Sequence, residues 1–148
     1  MAYVSNFLHC VWGTKNRISY FNDLNTKDIL GHILTNAFDQ GIWMDHLNAY
    51  QDHFHCLISL NPDQALSTAI KLVKGESSYW INRNVHSDQK FRWAVEYYAS
   101  SVSIKMLPTV RQYIQNQEIH HHNITWAQEE RKYQAMITRL LSPFRQDR

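Results

Sequence analysis

The chain has 148 residues, of which 44% are hydrophobic, so it can bury one core and is expected to form a single domain over residues 1–148. Its net charge of +2 permits a nucleic-acid partner without requiring one. No run approaches the roughly 18 apolar residues of a membrane helix, and no signal segment opens the chain, so we expect a cytoplasmic protein with no membrane partner.

The first half of the chain predicts a strand, a helix and a hairpin. β-branched and aromatic residues predict a first strand from Tyr3 to Thr14, which ends around Gly13 before the polar KNR segment. Apolar residues at helical spacing predict a first helix from about Asn25, with Gly41 as its stop signal. The segments IWMDHLNAY and HFHCLISL follow with a short separation, which is typical of a β-hairpin.

The second half predicts further helices around one more strand. A helix is expected from Ala65 to about Arg83, and the segment FRWAVEYYASSVSI supplies strand material that ends near Ile104. Pro108 suits the first turn of a following helix. A last helix is predicted from about Thr125 to Leu141, with Thr125 as N-cap and Gln128 placed for a capping box.

This order of elements, β-α-β-β-α-β followed by C-terminal helices, is typical of one α+β architecture. It is the ferredoxin-like (RRM-like) fold, in which helices cover one face of an antiparallel sheet and leave the other face free for a ligand. One of the C-terminal helices carries the tyrosine discussed below.

Two histidines lie one residue apart in the segment DHFHCLISL. Alternate strand residues point to opposite faces, so His53 and His55 project together, away from a core face made of Phe54, Cys56 and Ile58. The pair is close enough to share one cation. Asp52 is either a partner that orients an imidazole or, as is more common, an ordinary turn aspartate. The chain has 9 histidines, however, so the spacing alone is also compatible with two ordinary core or solvent-facing histidines.

A tyrosine and a glutamine lie together on a later helix. In YIQNQ, Tyr113 and Gln117 are spaced i,i+4 and share one helix face. Tyrosine can act as a covalent nucleophile, and a glutamine oxygen beside two imidazoles makes a mixed site suited to Mg²⁺ or Mn²⁺. The alternative is a boundary aromatic residue next to a solvated amide.

Five segments in order make the chain similar to a known family: HCVWGTKNR, DHFHCLISL, LVKGESSYWIN, FRWAVEYYASSVS and VRQYIQNQEIHHHN. Together they resemble the single-tyrosine HUH transposases of small hairpin-ended insertion sequences, a group that includes the transposases associated with repetitive extragenic palindromes (REPs). The resemblance spans roughly Phe7 to Glu130.

The resemblance implies a DNA transposase that nicks and rejoins single-stranded DNA carrying a hairpin. It implies His53 and His55 as metal ligands, Gln117 as the third ligand, Tyr113 as the nucleophile that forms a 5′-phosphotyrosine, a divalent Mg²⁺ or Mn²⁺ ion as cofactor, and a homodimer. His120 and His121 lie near the Tyr113 face and are alternatives to Gln117. Candidate contacts to DNA phosphates are the basic residues Lys15, Arg17, Lys71, Lys74 and Arg83.

Two other functions are compatible with parts of this pattern. The same fold could bind hairpin DNA or RNA without catalysis, as RRM domains bind RNA. A small zinc protein using His9, Cys10, His53, His55 and Cys56 is disfavoured, because alternation along the strands would aim these ligands at opposite faces. The two cysteines also lack CxxC spacing and are too few for a disulfide framework, which fits a reducing compartment.

Overall fold

The computed structural model describes residues 1–145, so the last three residues of the expected domain lie outside the description. The strands are β1 (Phe7–Gly13), β2 (Trp43–Tyr50), β3 (His53–Ser59) and β4 (Tyr98–Val102). The helices are α1 (Thr26–Asp39), α2 (Leu66–Asn84), α3 (Leu107–Gln115), α4 (Gln117–His120) and α5 (Trp126–Arg145). None of the helices described between residues 1 and 145 has the length and apolar content of a membrane span.

The four strands form one antiparallel sheet in the order β2-β3-β1-β4. β3 is therefore inserted between β1 and β2, which α1 connects, and α2 leads from β3 to the far edge strand β4. This is the split β-α-β arrangement of the ferredoxin-like fold. The predicted α+β fold class is confirmed.

The main core lies between the sheet and helices α1 and α2. From β3 it receives Phe54, Cys56 and Ile58, which are fully buried, as the predicted strand phase requires. From the helices it receives apolar residues at helical spacing, including Ile29, Ile33, Ile70, Val73 and Ile81. Apolar residues that recur every second position in the strand thus pack against apolar residues that recur about every 3.6 positions in the helices, and together they form one apolar layer.

The opposite sheet face is only partly free, because α3 packs on it. Leu57 points to this face and forms a second buried cluster with Leu107 and Ile114. Leu57 interrupts the alternation of polar and apolar residues along β3. The structure explains this interruption, because the apolar side chain of Leu57 packs against α3. The expectation of a fully open second face is therefore wrong for this part of the sheet.

Several element boundaries differ from the prediction. β1 begins at Phe7 rather than Tyr3. β4 begins only at Tyr98, because residues 91–97 do not pair as a regular strand and keep one isolated β-bridge, between Trp93 and Thr14. The helix predicted from Pro108 is divided at Asn116 into α3 and α4.

The predicted capping box at the start of α5 is present. Thr125 N donates to Gln128 Oε1 at 2.9 Å, and Gln128 N donates to Thr125 Oγ1 at 3.2 Å. Two backbone N–H groups of the helix start are thereby satisfied, which fixes where α5 begins.

Ile114 tests how strongly α3 depends on the second cluster. Ile114 is fully buried, so Ile114→Ala should lower the free energy of unfolding by about 2–5 kcal/mol, measured by urea denaturation. Ile119 in α4 is 72% exposed, so the same truncation there should change stability by no more than about 0.5 kcal/mol. Equal effects of the two substitutions would contradict the role assigned to the second cluster.

Candidate functional site

His53 and His55 project from the same face of β3, on the side opposite the main core. Both side chains are fully buried, and their ring centroids lie 5.1 Å apart. His53 Nδ1 lies 3.1 Å from Asp52 Oδ1, and His55 Nδ1 lies 3.0 Å from His9 Nε2. Each Nδ1 is therefore held by a neighbour, which leaves each Nε2 available to a ligand on the inner side.

Gln117 reaches the same point from α4. Its Nε2 donates to the carbonyl oxygen of Tyr113 at 2.7 Å, an i,i+4 contact that fixes the orientation of the amide. Its Oε1 consequently lies 3.4 Å from His53 Nε2. The helical spacing that brought Gln117 to attention in the sequence thus also aims its oxygen at the histidine pair.

Tyr113 lies against its own chain's histidines. Its ring packs edge-on against His55, with 5.5 Å between centroids, and against His9 at 5.8 Å. Its hydroxyl donates a hydrogen bond to Glu129 Oε1 and lies 3.1 Å from His120 Nε2. The phenol oxygen, the imidazoles and the amide oxygen therefore lie in one cluster.

Two members of the cluster were not selected as first choices from the sequence. His121 Nε2 lies 3.1 Å from Gln117 Oε1 and 2.9 Å from Glu129 Oε2. Glu129 is almost fully buried and also accepts a hydrogen bond from Tyr133 at 3.1 Å. His121 was an alternative to Gln117, whereas Glu129 gave no signal because the segment WAQEE is typical of an exposed helix surface.

The donor set fits a cation. Ligand atoms of His53, His55, His121 and Glu129 all lie within 4.8 Å of one another. Within the described part of the chain, the buried His55 Nε2 makes no hydrogen bond, and the buried Glu129 Oε2 has only the close contact with His121 Nε2 at 2.9 Å, whose angles are not those of a hydrogen bond. Buried polar atoms without a partner are costly, and a shared cation would satisfy both of them.

Burial and charge set protonation states that suit metal ligands. Burial and the neighbouring imidazoles hold the pKa of His55 well below its usual range, and burial lowers the pKa of His9 to about 4. Burial alone would raise the pKa of Glu129, but contacts with His121 and Tyr113 outweigh it and bring the pKa to about 2. His55 is therefore held as a neutral imidazole and Glu129 as a carboxylate anion, the forms of these side chains that bind metals.

Helix α5 closes the site. The indole of Trp126 stacks on His53 with 4.9 Å between centroids and 5° between planes. Glu130 pairs with Arg17 at 2.7 Å and accepts a hydrogen bond from Tyr98 at 2.9 Å. Arg17, a candidate DNA contact, is therefore engaged with α5 in this structure.

The other candidate DNA contacts divide into two groups. Lys15, Lys71 and Lys74 line one groove between α2 and residues 90–97. Arg83 lies outside that groove and packs over the ring of Tyr79, to whose hydroxyl it donates a hydrogen bond at 2.8 Å.

Comparison with known families identifies the chain's relatives. The family model described as "Transposase IS200 like" matches residues 3–117. The chain belongs to this IS200-like transposase family. Transposase function, and with it enzymatic DNA strand transfer in recombination, follows from this membership. No significant match was found among curated proteins.

Two solved structures share the fold of this IS200-like transposase. A candidate transposase from Deinococcus radiodurans R1 has a TM-score of 0.63 at 24% identity, covering 79% of this chain and 95% of that chain. A REP-associated tyrosine transposase bound to a REP hairpin has a TM-score of 0.61 at 17% identity, covering 84% and 73% of the two chains.

The family match includes part of the site only. His53, His55, Tyr113 and Gln117 lie within the matched residues 3–117 of the transposase, whereas His121 and Glu129 lie beyond them. The family assignment therefore says nothing about the carboxylate that α5 contributes.

Gly13 tests the closure by α5. A Cβ at Gly13 would lie 2.5 Å from Trp126 Nε1, whose ring is fixed by stacking on His53. Gly13→Ala should therefore loosen α5, which we expect to appear as faster amide hydrogen exchange in α5 than in α2. Gly31 of α1 has open space around its Cα, so Gly31→Ala should leave α5 unchanged and stabilise the protein by about 0.5–1 kcal/mol. Unchanged exchange in α5 of the Gly13 variant would contradict this account.

Proposed function

We propose that this transposase is an HUH-type enzyme that nicks and rejoins single-stranded DNA through Tyr113. The observation that carries the proposal is the position of the Tyr113 hydroxyl, which lies in one buried cluster with two strand histidines, an amide oxygen and a carboxylate. A tyrosine nucleophile beside a set of metal ligands is an arrangement that suits metal-assisted phosphoryl transfer to tyrosine.

The metal ligands in this proposal are His53, His55 and Gln117, supplemented by His121 and Glu129. The inner atoms of these side chains converge, and two of them are buried without a hydrogen bond within residues 1–145. A bound divalent cation would neutralise charge on a non-bridging phosphate oxygen. Since Mg²⁺ strongly prefers oxygen ligands, a set with three imidazoles favours Mn²⁺.

Glu129 is the group placed to accept the Tyr113 proton. Burial and the hydrogen bond to Glu129 raise the pKa of Tyr113 far above its ordinary value of 10.0, so free phenolate is not populated. The proton therefore has to leave as the new bond forms, and Glu129 Oε1 already accepts the hydrogen bond from this hydroxyl. The phenol oxygen bonds to phosphorus, the 3′-oxygen leaves, and a 5′-phosphotyrosine conserves the energy needed for rejoining.

A hairpin-carrying single strand is the proposed substrate. Family membership supports DNA as the substrate, and the REP hairpin bound by a relative of the same fold supports the hairpin. A single chain brings Tyr113 to its own histidines, so the tyrosine can act within its own subunit. The homodimer stays a prediction from the resemblance, and the cytoplasmic location stays a prediction from the sequence.

Substrate access requires a change at α5. His53, His55 and Gln117 are fully buried, and Trp126 covers His53. A phosphodiester oxygen can therefore reach the inner nitrogen atoms only when Trp126 moves away from His53. Glu129 also belongs to α5, and the proposed proton transfer requires that it keep its contact with the Tyr113 hydroxyl during that movement.

Replacement of the nucleophile tests the proposal. The probe is a pool of 3′-labelled single-stranded oligonucleotides with a fixed hairpin and randomised flanks, because a 5′-phosphotyrosine retains the 3′ fragment. With Mn²⁺ the parent should form a labelled adduct that survives denaturation, and Tyr113→Phe should reduce it below detection. Tyr79→Phe, on the exposed side of α2, should form it as the parent does. Adduct formation by Tyr113→Phe would refute the proposal. If the parent forms no adduct but binds the hairpin equally well with and without EDTA, a non-catalytic binding module would be favoured.

Mn²⁺ titration tests the ligand set without any reaction. His55→Gln and Glu129→Gln should each weaken Mn²⁺ binding by at least about tenfold in calorimetry, because each removes a donor from the cluster. His86 is exposed and outside the cluster, so His86→Gln should bind Mn²⁺ as the parent does. Parent-like affinity of both cluster variants would exclude these residues as ligands.

A further inference from the structure

A basic groove lies between α2 and residues 90–97, on the helix-covered side of the sheet. Its volume is about 840 Å³. Five cationic side chains contribute to its lining, together with the acidic Glu96: Lys15, Lys71, Lys74, Lys90 and Arg92. Lys90 and Arg92 are not among the DNA contacts predicted from the sequence, because only the fold brings them opposite Lys71 of α2.

The groove is held in shape by hydrogen bonds between its two walls. The side chain of Asn82 donates to Phe91 O at 3.0 Å and accepts from Phe91 N at 2.7 Å. Lys74 Nζ donates to the carbonyl oxygens of residues 94–96 at 2.8, 3.1 and 3.2 Å. Trp93 Nε1 donates to Ser77 Oγ at 2.9 Å. The non-helical wall is thus anchored to α2 at three points.

The remaining cations of the groove are free to meet a ligand. Lys15, Lys71, Lys90 and Arg92 are exposed, and none of them forms an ion pair within residues 1–145. By contrast, Arg17 pairs with Glu130 and Arg111 pairs with Asp45 at 2.8 Å. A concave surface with several unpaired cations concentrates an anionic polymer.

One aromatic residue of the lining can take part in stacking. Tyr97 is 38% exposed, and Lys74 Nζ lies 5.9 Å from the centre of its ring. Bases of a single strand stack on such rings, whereas bases of a duplex stack on each other and leave no face exposed. The combination of phosphate-binding cations and one stacking ring favours a single strand over a duplex.

The groove begins close to the tyrosine site. Gly13 O accepts a hydrogen bond from Ala94 N at 2.9 Å on the groove side, while the Cα of Gly13 faces Trp126 on the site side. Lys15 N donates to Arg92 O at 2.9 Å, and Thr14 N donates to Asp52 O at 2.8 Å, next to His53. One end of the groove therefore shares the end of β1 with the candidate active site.

We propose that this groove binds an unpaired segment of the DNA substrate, with phosphates on Lys15, Lys71, Lys90 and Arg92 and a base on Tyr97. The inference rests on the proposed function, because it assigns a DNA-binding surface to that reaction. The bound DNA strand would lie on the side of the sheet that α2 covers. Its end would pass the short turn at Lys15–Arg17, which follows β1, toward Tyr113.

The test measures binding of fluorescein-labelled oligo(dT) of about 20 nucleotides by anisotropy, long enough to fill one site of this kind. EDTA is present and all variants carry Tyr113→Phe, so neither metal nor adduct contributes. The triple variant Lys71→Gln, Lys90→Gln, Arg92→Gln should weaken binding by about 100-fold at roughly 0.1 M salt and lower the salt slope by about 2. Tyr97→Ala should weaken binding roughly tenfold, and Tyr97→Phe should restore it.

The matched control removes the same charges elsewhere. Lys27, Lys105 and Arg139 are exposed and outside the groove lining, so the corresponding triple glutamine variant should bind almost as the parent does. The proposal would be overturned if both triple variants weakened binding equally, or if the groove variant bound oligo(dT) as the parent does. It would also be overturned if an unlabelled duplex of the same length displaced oligo(dT) as well as unlabelled oligo(dT) does. Thermal denaturation of each variant verifies that it is folded.

The experiments distinguish a failure of the groove proposal from a failure of the proposed function. The adduct assay depends on Tyr113 and Mn²⁺, whereas groove binding is measured without either. Loss of the adduct with intact groove binding would refute Tyr113 as the nucleophile. For the groove, the triple glutamine variant is also made with Tyr113 retained: an adduct formed at the parent's rate by that protein, together with parent-like oligo(dT) binding by its Tyr113→Phe form, would refute the groove.

Discussion

The two-sided burial of β3 is the constraint on which the rest of the structure depends. Phe54, Cys56 and Ile58 enter the core beneath α1 and α2, and this fixes the phase of the strand. His53 and His55 must then point to the other face, where a one-residue slip would instead place them in the apolar core. The candidate metal site therefore inherits its geometry from core packing.

Burying so many polar groups on one face requires that they satisfy one another. An isolated carboxylate at the position of Glu129 would be strongly destabilised, yet its pKa falls to about 2 because the contacts with His121 and Tyr113 outweigh the cost of burial. His55 and His9 stay neutral for the complementary reason, since burial disfavours the charged form of an imidazole. The cluster thus contains a buried carboxylate anion that a bound cation would neutralise.

The sheet separates two tasks in the proposed reaction. The face that binds α3 and α5 holds the nucleophile and the donors, and the face that binds α2 holds the free cations of the groove. Lysines and an arginine beside the imidazole cluster would compete with a metal ion for the same carboxylate and phosphate. The groove cations lie on the other face of the sheet, which removes this competition. The groove and the candidate active site both adjoin the end of β1, so one DNA strand could contact both.

Much of the fold could be predicted from the sequence, because it depends on local periodicity. The alternation in DHFHCLISL, the helical spacing of α1 and α2, the Thr125 capping box and the shared face of Tyr113 and Gln117 all concern residues close in the chain. The end of regular pairing before Tyr98 and the division of the tyrosine helix at Asn116 were not predictable in this way, since distant contacts determine them.

The tertiary structure alone decided which side chains meet. Nothing local distinguishes Glu129 from an exposed helix glutamate, and its burial follows from Trp126 stacking on a histidine more than seventy positions earlier. Lys90 and Arg92 join Lys71 for the same reason, because Asn82 and Lys74 hold their segment against α2. The sequence by itself determined the strand phase, the helix starts and the likeness to a transposase family. Long-range packing determined the ligand set and the groove, because contacts between side chains that are distant in the sequence produce no periodic pattern of residues in it.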